Sequence, residues 1–148
     1  MFDALKIAAT GMSASRQMMD VVAENIANAN TTMTISGEPY KRKDVILAAK
    51  DLSENDDILT VSFEEEYEKK VAGVEVVGIK EASNGFRKVY DPTNPNADKD
   101  GYVTLPNVNV VEEMAKMIQA SRMYEANTSV VESIKNMATK ALELIQQQ

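Results

Sequence analysis

Asn96-Ala97-Asp98-Lys99-Asp100-Gly101 is the stretch whose residue types come closest to site chemistry. Oxygen ligands at the first, third and fifth positions, with Gly at the sixth, match the opening of a calcium-binding loop. The twelfth position is Asn107, so the bidentate Glu that closes such a loop is missing. A Gly-terminated polar turn accounts for the same residues. The chain contains no His, which removes the commonest general acid/base and the commonest metal ligand together. It also contains no Cys, and with it go disulfides, thiolate nucleophiles and thiolate metal sites. Gly73 and Gly78 do not form a dinucleotide fingerprint, and no P-loop pattern occurs. The acidic run Glu64-Glu65-Glu66 with Glu68 lies in a highly polar segment that offers nothing to perturb a carboxylate. The expectation is a chain that is not an enzyme, with no catalytic residues, no metal site and no cofactor.

Charge points the same way. Lys41-Arg42-Lys43 is a short basic cluster, but three cations against a net charge of −7 make a poor nucleic-acid surface. A solvated strand edge is the simple account of it, and a patch that meets the Glu64 to Glu68 run of a neighbouring copy is the alternative. The net charge divides as −1 over residues 1–30, −5 over 31–106 and −1 over 107–148. The ends are nearly neutral and can approach copies of themselves without long-range repulsion.

Apolar spacing carries more information than the polar candidates. Leu5, Ala8, Met12, Ser15, Met19, Val22, Ile26 and Ala29 follow one another at alternating steps of three and four, which keeps them on one helical face. Met114, Met117, Ser121, Tyr124, Thr128, Val131, Lys135, Ala138, Leu142 and Ile145 do the same near the other end. A second seam, Val130, Ile134, Met137, Ala141 and Leu144, runs beside that one. A helix that is apolar on two faces needs more than one neighbour. Neither stretch contains Pro, and both are rich in Ala, Ser and Met; eight of the nine methionines fall in residues 1–30 or 107–148. Met is flexible enough to fit several partner surfaces.

The first helix is expected to stop among Asn28, Asn30, Thr31 and Thr32, which compete for backbone hydrogen bonds. Asn107 or Asn109 is expected to cap the second, with Glu112 and Glu113 facing the positive end of its dipole. Between them, segments 40–48, 58–63, 74–79, 86–90 and 102–105 read as strands separated by Gly, Pro and Asp-Gly turns. Six of the eight aromatic residues lie in this middle part, where a small β core would use them. The expected fold is therefore α+β, with terminal helices over residues 1–30 and 107–148 packed as a coiled-coil-like stalk. Residues 31–106 form a small β-rich central module. No apolar run reaches the ~20 residues of a membrane span, and the first residues do not read as a signal peptide.

Ala23-Glu24-Asn25-Ile26-Ala27-Asn28-Ala29-Asn30-Thr31 resembles the Asn-rich signature of the bacterial flagellar axial proteins of rod, hook and hook-associated type. Tyr90-Asp91-Pro92-Thr93-Asn94-Pro95-Asn96-Ala97-Asp98, Asp100-Gly101-Tyr102-Val103 and Pro106 to Met114 narrow the resemblance, with Ser121-Arg122-Met123-Tyr124-Glu125-Ala126-Asn127, to the proximal-rod branch of that family. Gly37-Glu38-Pro39-Tyr40-Lys41-Arg42-Lys43 is similar to the same branch. The resemblance covers both ends and most of residues 86–148. Thr32 to Ser36 intervene where the wider family passes almost directly into a Gly-Tyr-Lys sequence, and residues 51–70 match nothing in it.

The resemblance implies a structural subunit of the rod, assembled through its terminal helices into a helical tube that transmits torque. It implies other rod proteins and copies of the chain as partners, a junction with the export gate and MS ring, and a periplasmic basal-body location. Export by the flagellar type III system without a cleaved signal peptide follows from the same likeness. The expected assembly contacts are the seam residues Leu5, Met12, Met19, Val22 and Ile26, together with Asn25 and Asn28. On the second helix they are Met114, Met117, Ser121, Tyr124, Asn127, Val131, Ile134, Ala138, Leu142 and Ile145. Two other readings stand beside this one: another flagellar axial protein, or a soluble coiled-coil adaptor carrying a small β module.

Overall fold

A computed structural model describes residues 2–52, 72–82 and 85–146, with Ile145 and Gln146 described by backbone alone. The expected strand at 58–63 and the acidic run at 64–68 lie outside the described residues. The order is helix, hairpin, hairpin, helix: α1 Phe2–Ala27, β1 Lys43–Asp51, β2 Ala72–Glu81, β3 Arg87–Tyr90, β4 Tyr102–Leu105 and α2 Val110–Gln146. This is the α+β arrangement anticipated from periodicity.

The helices pack against each other in antiparallel fashion. Asn25 of α1 bonds Glu113 of α2, and Met12 lies beside Thr128, with Sδ and Oγ1 3.6 Å apart. Gly11 sits against Asn127 so closely that a Cβ there would lie 2.7 Å from the Asn127 Nδ2. α1 has 26 residues and α2 has 37. Continuing the antiparallel register places Phe2 level with roughly residue 136, so the last turns of α2 extend past α1.

Helix ends follow local chemistry. Asn28 closes α1 by donating from its side chain to the Glu24 carbonyl at 2.9 Å, while Thr31 donates to the Asn28 Oδ1 at 3.2 Å. Asn109 caps α2 by accepting from the backbone N–H of Val111 at 3.1 Å.

β1 and β2 form one antiparallel hairpin, with a register break between Ile46 and Leu47 that twists the strand. β3 and β4 form a second, closed by an edge-on Tyr90–Tyr102 pair with centroids 5.3 Å apart. The two hairpins do not share a sheet. Phe86, Tyr90 and Tyr102 are exposed, and among the described residues the buried aromatic is Tyr40, which lies against α1. The described part of the middle region therefore does not centre on a shared aromatic core. Among the described residues, most buried side chains lie on the two helices or at their junction with the hairpins.

The first hairpin is fastened to α1 through Thr10. Its hydroxyl donates to the Ile7 carbonyl at 2.7 Å and accepts from the Val74 N–H of β2 at 3.2 Å. Gly73 permits the approach, since a Cβ there would fall 2.6 Å from that hydroxyl and 2.8 Å from Leu52. Gly73→Ala must push the hairpin off the helix or drive Thr10 from its bonds. A loss of about 1–3 kcal/mol is expected, read as a lowered urea midpoint.

Candidate assembly interface

A polar cluster lies where α1, α2 and the start of β1 meet. Asn25 is fully buried and uses its whole amide. Its Nδ2 donates to the Lys43 carbonyl at 2.8 Å and to Glu113 Oε2 at 2.9 Å. Its Oδ1 accepts from the Tyr40 hydroxyl at 2.9 Å and from the Lys43 N–H at 2.8 Å. Four bonds from one side chain join three elements, and a buried amide left without them would cost several kcal/mol on the order of a fully desolvated polar group.

Glu113 is 1% exposed, and its charge is balanced locally. Lys116 Nζ lies 3.0 Å from Glu113 Oε1 and 3.3 Å from Asp44 Oδ1, while Arg42 bonds Asp44 at 2.6 Å. Lys43 pairs with Glu24 at 2.6 Å and Lys41 with Glu38 at 2.7 Å. The basic cluster Lys41-Arg42-Lys43 is thus drawn into pairs within its own chain, and two of its members tie β1 to the helices. A solvated strand edge does not describe it.

Burial, followed by the nearby carboxylates of Glu24, Glu113 and Glu81, pushes the Tyr40 hydroxyl from its ordinary 10.0 up to about 12. For Lys116, burial opposes the charged form. The hydrogen bond and charge of Glu113, with those of Asp44, outweigh it and hold the ammonium above its ordinary value.

The first seam is realised as spaced. Ala8, Ser15, Val22 and Ala29 are buried, Met12, Met19 and Ile26 are half-buried, and Leu5 near the helix start is exposed. On α2 the inward line runs through Glu113, Met117, Ala120, Asn127, Val131, Ile134 and Ala138. Ser121 and Thr128 flank it, half-buried, whereas Met114 is 55% exposed, Tyr124 39% and Leu142 61%. Glu113 turns inward instead of Met114 because Asn25 supplies its partner; beyond Ala138 the facing helix has ended. Asn25 is at the centre of the cluster and Asn28 is a helix cap, so two residues of one signature do different jobs. The side chain of Ile145 lies outside the described residues.

The sequence does not single out Glu113, Tyr40 or Lys116 as contacts, and it offers Lys43 only as part of a basic patch. The available signal was phase: Asn25 stands three residues after Val22 and Glu113 four before Met117, polar residues in step with apolar seams.

The apolar residues left outside α2 include Val111, Met114 and Ile118 near its start and Val130, Met137, Leu142 and Leu144 further on. Phe2, Leu5 and Ile7 are exposed at the start of α1. An apolar groove of about 230 Å³ runs beside the cluster, lined by Met18, Val21, Val22 and Val45 with Lys43, Asp44, Lys116 and Gln119 at its edges. The calcium-like stretch is a set of turns. Asp98 accepts from the N–H groups of Asp100 and Tyr102 at 3.0 and 2.8 Å, and Gly101 takes a φ of 80°. Asn96 donates to Thr32 at 2.9 Å, tying this loop to the end of α1. No helix among the described residues is long and apolar enough to cross a membrane.

Paired terminal helices with two hairpins between them are the form of the chain, and comparison with known proteins gives its class, the flagellar basal-body rod proteins. The family model "Flagella basal body rod protein" matches residues 5–32, and "Flagellar basal body rod FlgEFG protein C-terminal" matches residues 99–144. The flagellar basal-body rod protein FlgC of Borreliella burgdorferi is 40% identical, covering 99% of this chain and 98% of its own. FlgC of Bacillus subtilis is 39% identical over 97% of each, and FlgC of Salmonella typhimurium 35% identical over 93% and 92%. The chain belongs to the FlgC family of flagellar basal-body rod proteins.

Two outcomes follow for the cluster. Asn25→Ala removes four bonds and leaves Glu113 short of a partner, and is expected to cost about 2–4 kcal/mol in urea unfolding. Asn28→Ala, at a half-buried cap, is expected to cost about 1 kcal/mol. The second outcome concerns pH. The unfolded Tyr40 loses its proton near 10.0 and the folded one near 12, so its contribution is intact below pH 10.0 and drains away between 10.0 and 12. Lys116, also raised, loses its contribution on the same alkaline side. Tyr40→Phe should flatten the alkaline loss in a pH series of chemical denaturation; an unchanged slope would contradict this account.

Proposed function

We infer that the chain is a structural subunit of the proximal part of the flagellar basal-body rod, built into a tubular wall through its terminal helices. The observation that carries the reading is the unequal helix pair. One face of each helix is used within the chain, and large apolar side chains remain on the outside of α2 along most of its length. Lipid is not their partner, because Glu, Lys and Asn are interspersed with them. Faces of further helices suit them, since interlocking apolar seams exclude water and resist sliding.

Identical copies that repeat one heterologous contact form a helical array when the rotation does not close. In this reading residues 1–30 and 107–148 make the wall, and residues 31–106 lie outside it and set the lateral spacing. The contacts with neighbours fall on Leu5, Met114, Tyr124 and Leu142, which the chain itself leaves exposed. Met117, Ser121, Asn127, Val131, Ile134 and Ala138 hold the two helices together. Other rod proteins and copies of the chain are the neighbours, with a junction toward the export gate and MS ring. The role is mechanical, the passage of torque across the periplasm. Export through the flagellar type III apparatus brings the chain there.

Met137→Asp combined with Leu142→Asp alters only exposed positions and should leave urea stability within ~0.5 kcal/mol of the parent. Cells carrying it as the sole copy are expected to lose swimming in soft agar and to accumulate incomplete basal bodies. Deletion of residues 1–29 should likewise abolish rod completion; full motility in that strain would remove the central claim.

A further inference from the structure

The α1–α2 seam is poor in features that fix one alignment. Its facing residues are largely small or flexible: Ala8, Gly11, Met12 and Ser15 on one side, Met117 and Ala120 on the other. A slide of one heptad, about 10 Å along the axis, would still bring small and apolar side chains together. At such a slide Gly11 would face Ala120 or Ile134 in place of Asn127. Neither pairing is polar, so apolar matching discriminates weakly among the three alignments.

We propose that the buried Asn25–Glu113 contact is the register lock of this helix pair, and that Gly11 facing Asn127 is its second pin. Asn25 has all four of its hydrogen-bonding sites occupied in this alignment, two of them by the backbone of Lys43, which holds it in place. Glu113 meets Asn25 on one oxygen and Lys116 on the other. A slide in either direction carries Glu113 away from the amide, and two buried polar groups lose their partners at once. A single buried polar position specifies register in coiled coils by the same physics. At the second pin, Asn127 donates to the Met123 carbonyl at 2.9 Å and lies where only a Gly leaves room. The lock sets how far α2 projects beyond α1, and hence which of its outward apolar residues a neighbour meets. That consequence rests on the rod reading; the lock itself does not.

The absence of Cys makes the test direct, because every introduced thiol is unique. Met12→Cys with Thr128→Cys reports the observed alignment, and Met12→Cys with Ser121→Cys or with Lys135→Cys reports a slide of one heptad either way. Each pair is placed in the full chain and treated with a short bismaleimide, in the parent and in an Asn25→Leu/Glu113→Leu background. The parent should cross-link efficiently only at 12–128. In the apolar background that product should fall by about tenfold or more, and one of the slid products should appear. Circular dichroism establishes that the helices persist, and Asn25→Ala, read with the same reporters, serves if the double variant does not fold. Cross-linking confined to 12–128 at the parent rate in a folded variant overturns the lock. Full motility of cells carrying the Asn25→Leu/Glu113→Leu chain, with its cross-linking shifted to a slid pair, would count against the rod reading and leave the lock standing.

Discussion

The buried amide of Asn25 is the constraint on which the rest of the chain is arranged. It takes a carboxylate from the second helix, a hydroxyl from the loop before the first strand and both backbone groups of Lys43. Because a buried polar group without partners is so unfavourable, those elements must arrive together. The cations around it are held to the same place, Lys116 by Glu113 and Asp44, Lys43 by Glu24. Remove the amide and the charges lose the geometry that makes them compatible. An apolar contact of the same area would tolerate displacement; this one does not.

Much of the architecture was written in local patterns. The steps of three and four along α1 placed Ala8, Ser15, Val22 and Ala29 at buried positions, and Asn109 capped the second helix from a short list of two. The four described strands fall at the segments 40–48, 74–79, 86–90 and 102–105 that read as strands, although the first begins at Lys43, three residues later than its composition indicated. These features depend on neighbours in sequence, and periodicity detects such neighbours.

The α2 seam was less legible for a physical reason. Counting apolar residues selected Met114, whereas the inward position belongs to Glu113, whose partner lies 88 positions away. No local pattern announces that a carboxylate has a buried amide waiting for it. The basic cluster shows the same limit: Lys41-Arg42-Lys43 looks like a surface patch until β1 brings it beside Glu24, Asp44 and Glu113. The signature stretches did mark the right regions, since Asn25 and Asn127 both face the helix seam. Their place in the signature marks them, and the packing of the two helices gives them their contacts.

The unequal lengths of α1 and α2 have a consequence for symmetry. A pair of equal antiparallel helices presents nearly interchangeable ends. Here one end carries the overhang of α2 and the other the polar cluster with its hairpins. Such an object has a top and a bottom, and no approximate two-fold perpendicular to the seam exchanges its two ends. A filament in which every copy repeats one heterologous contact inherits a direction from each subunit, so growth at one tip and growth at the other are then chemically different events.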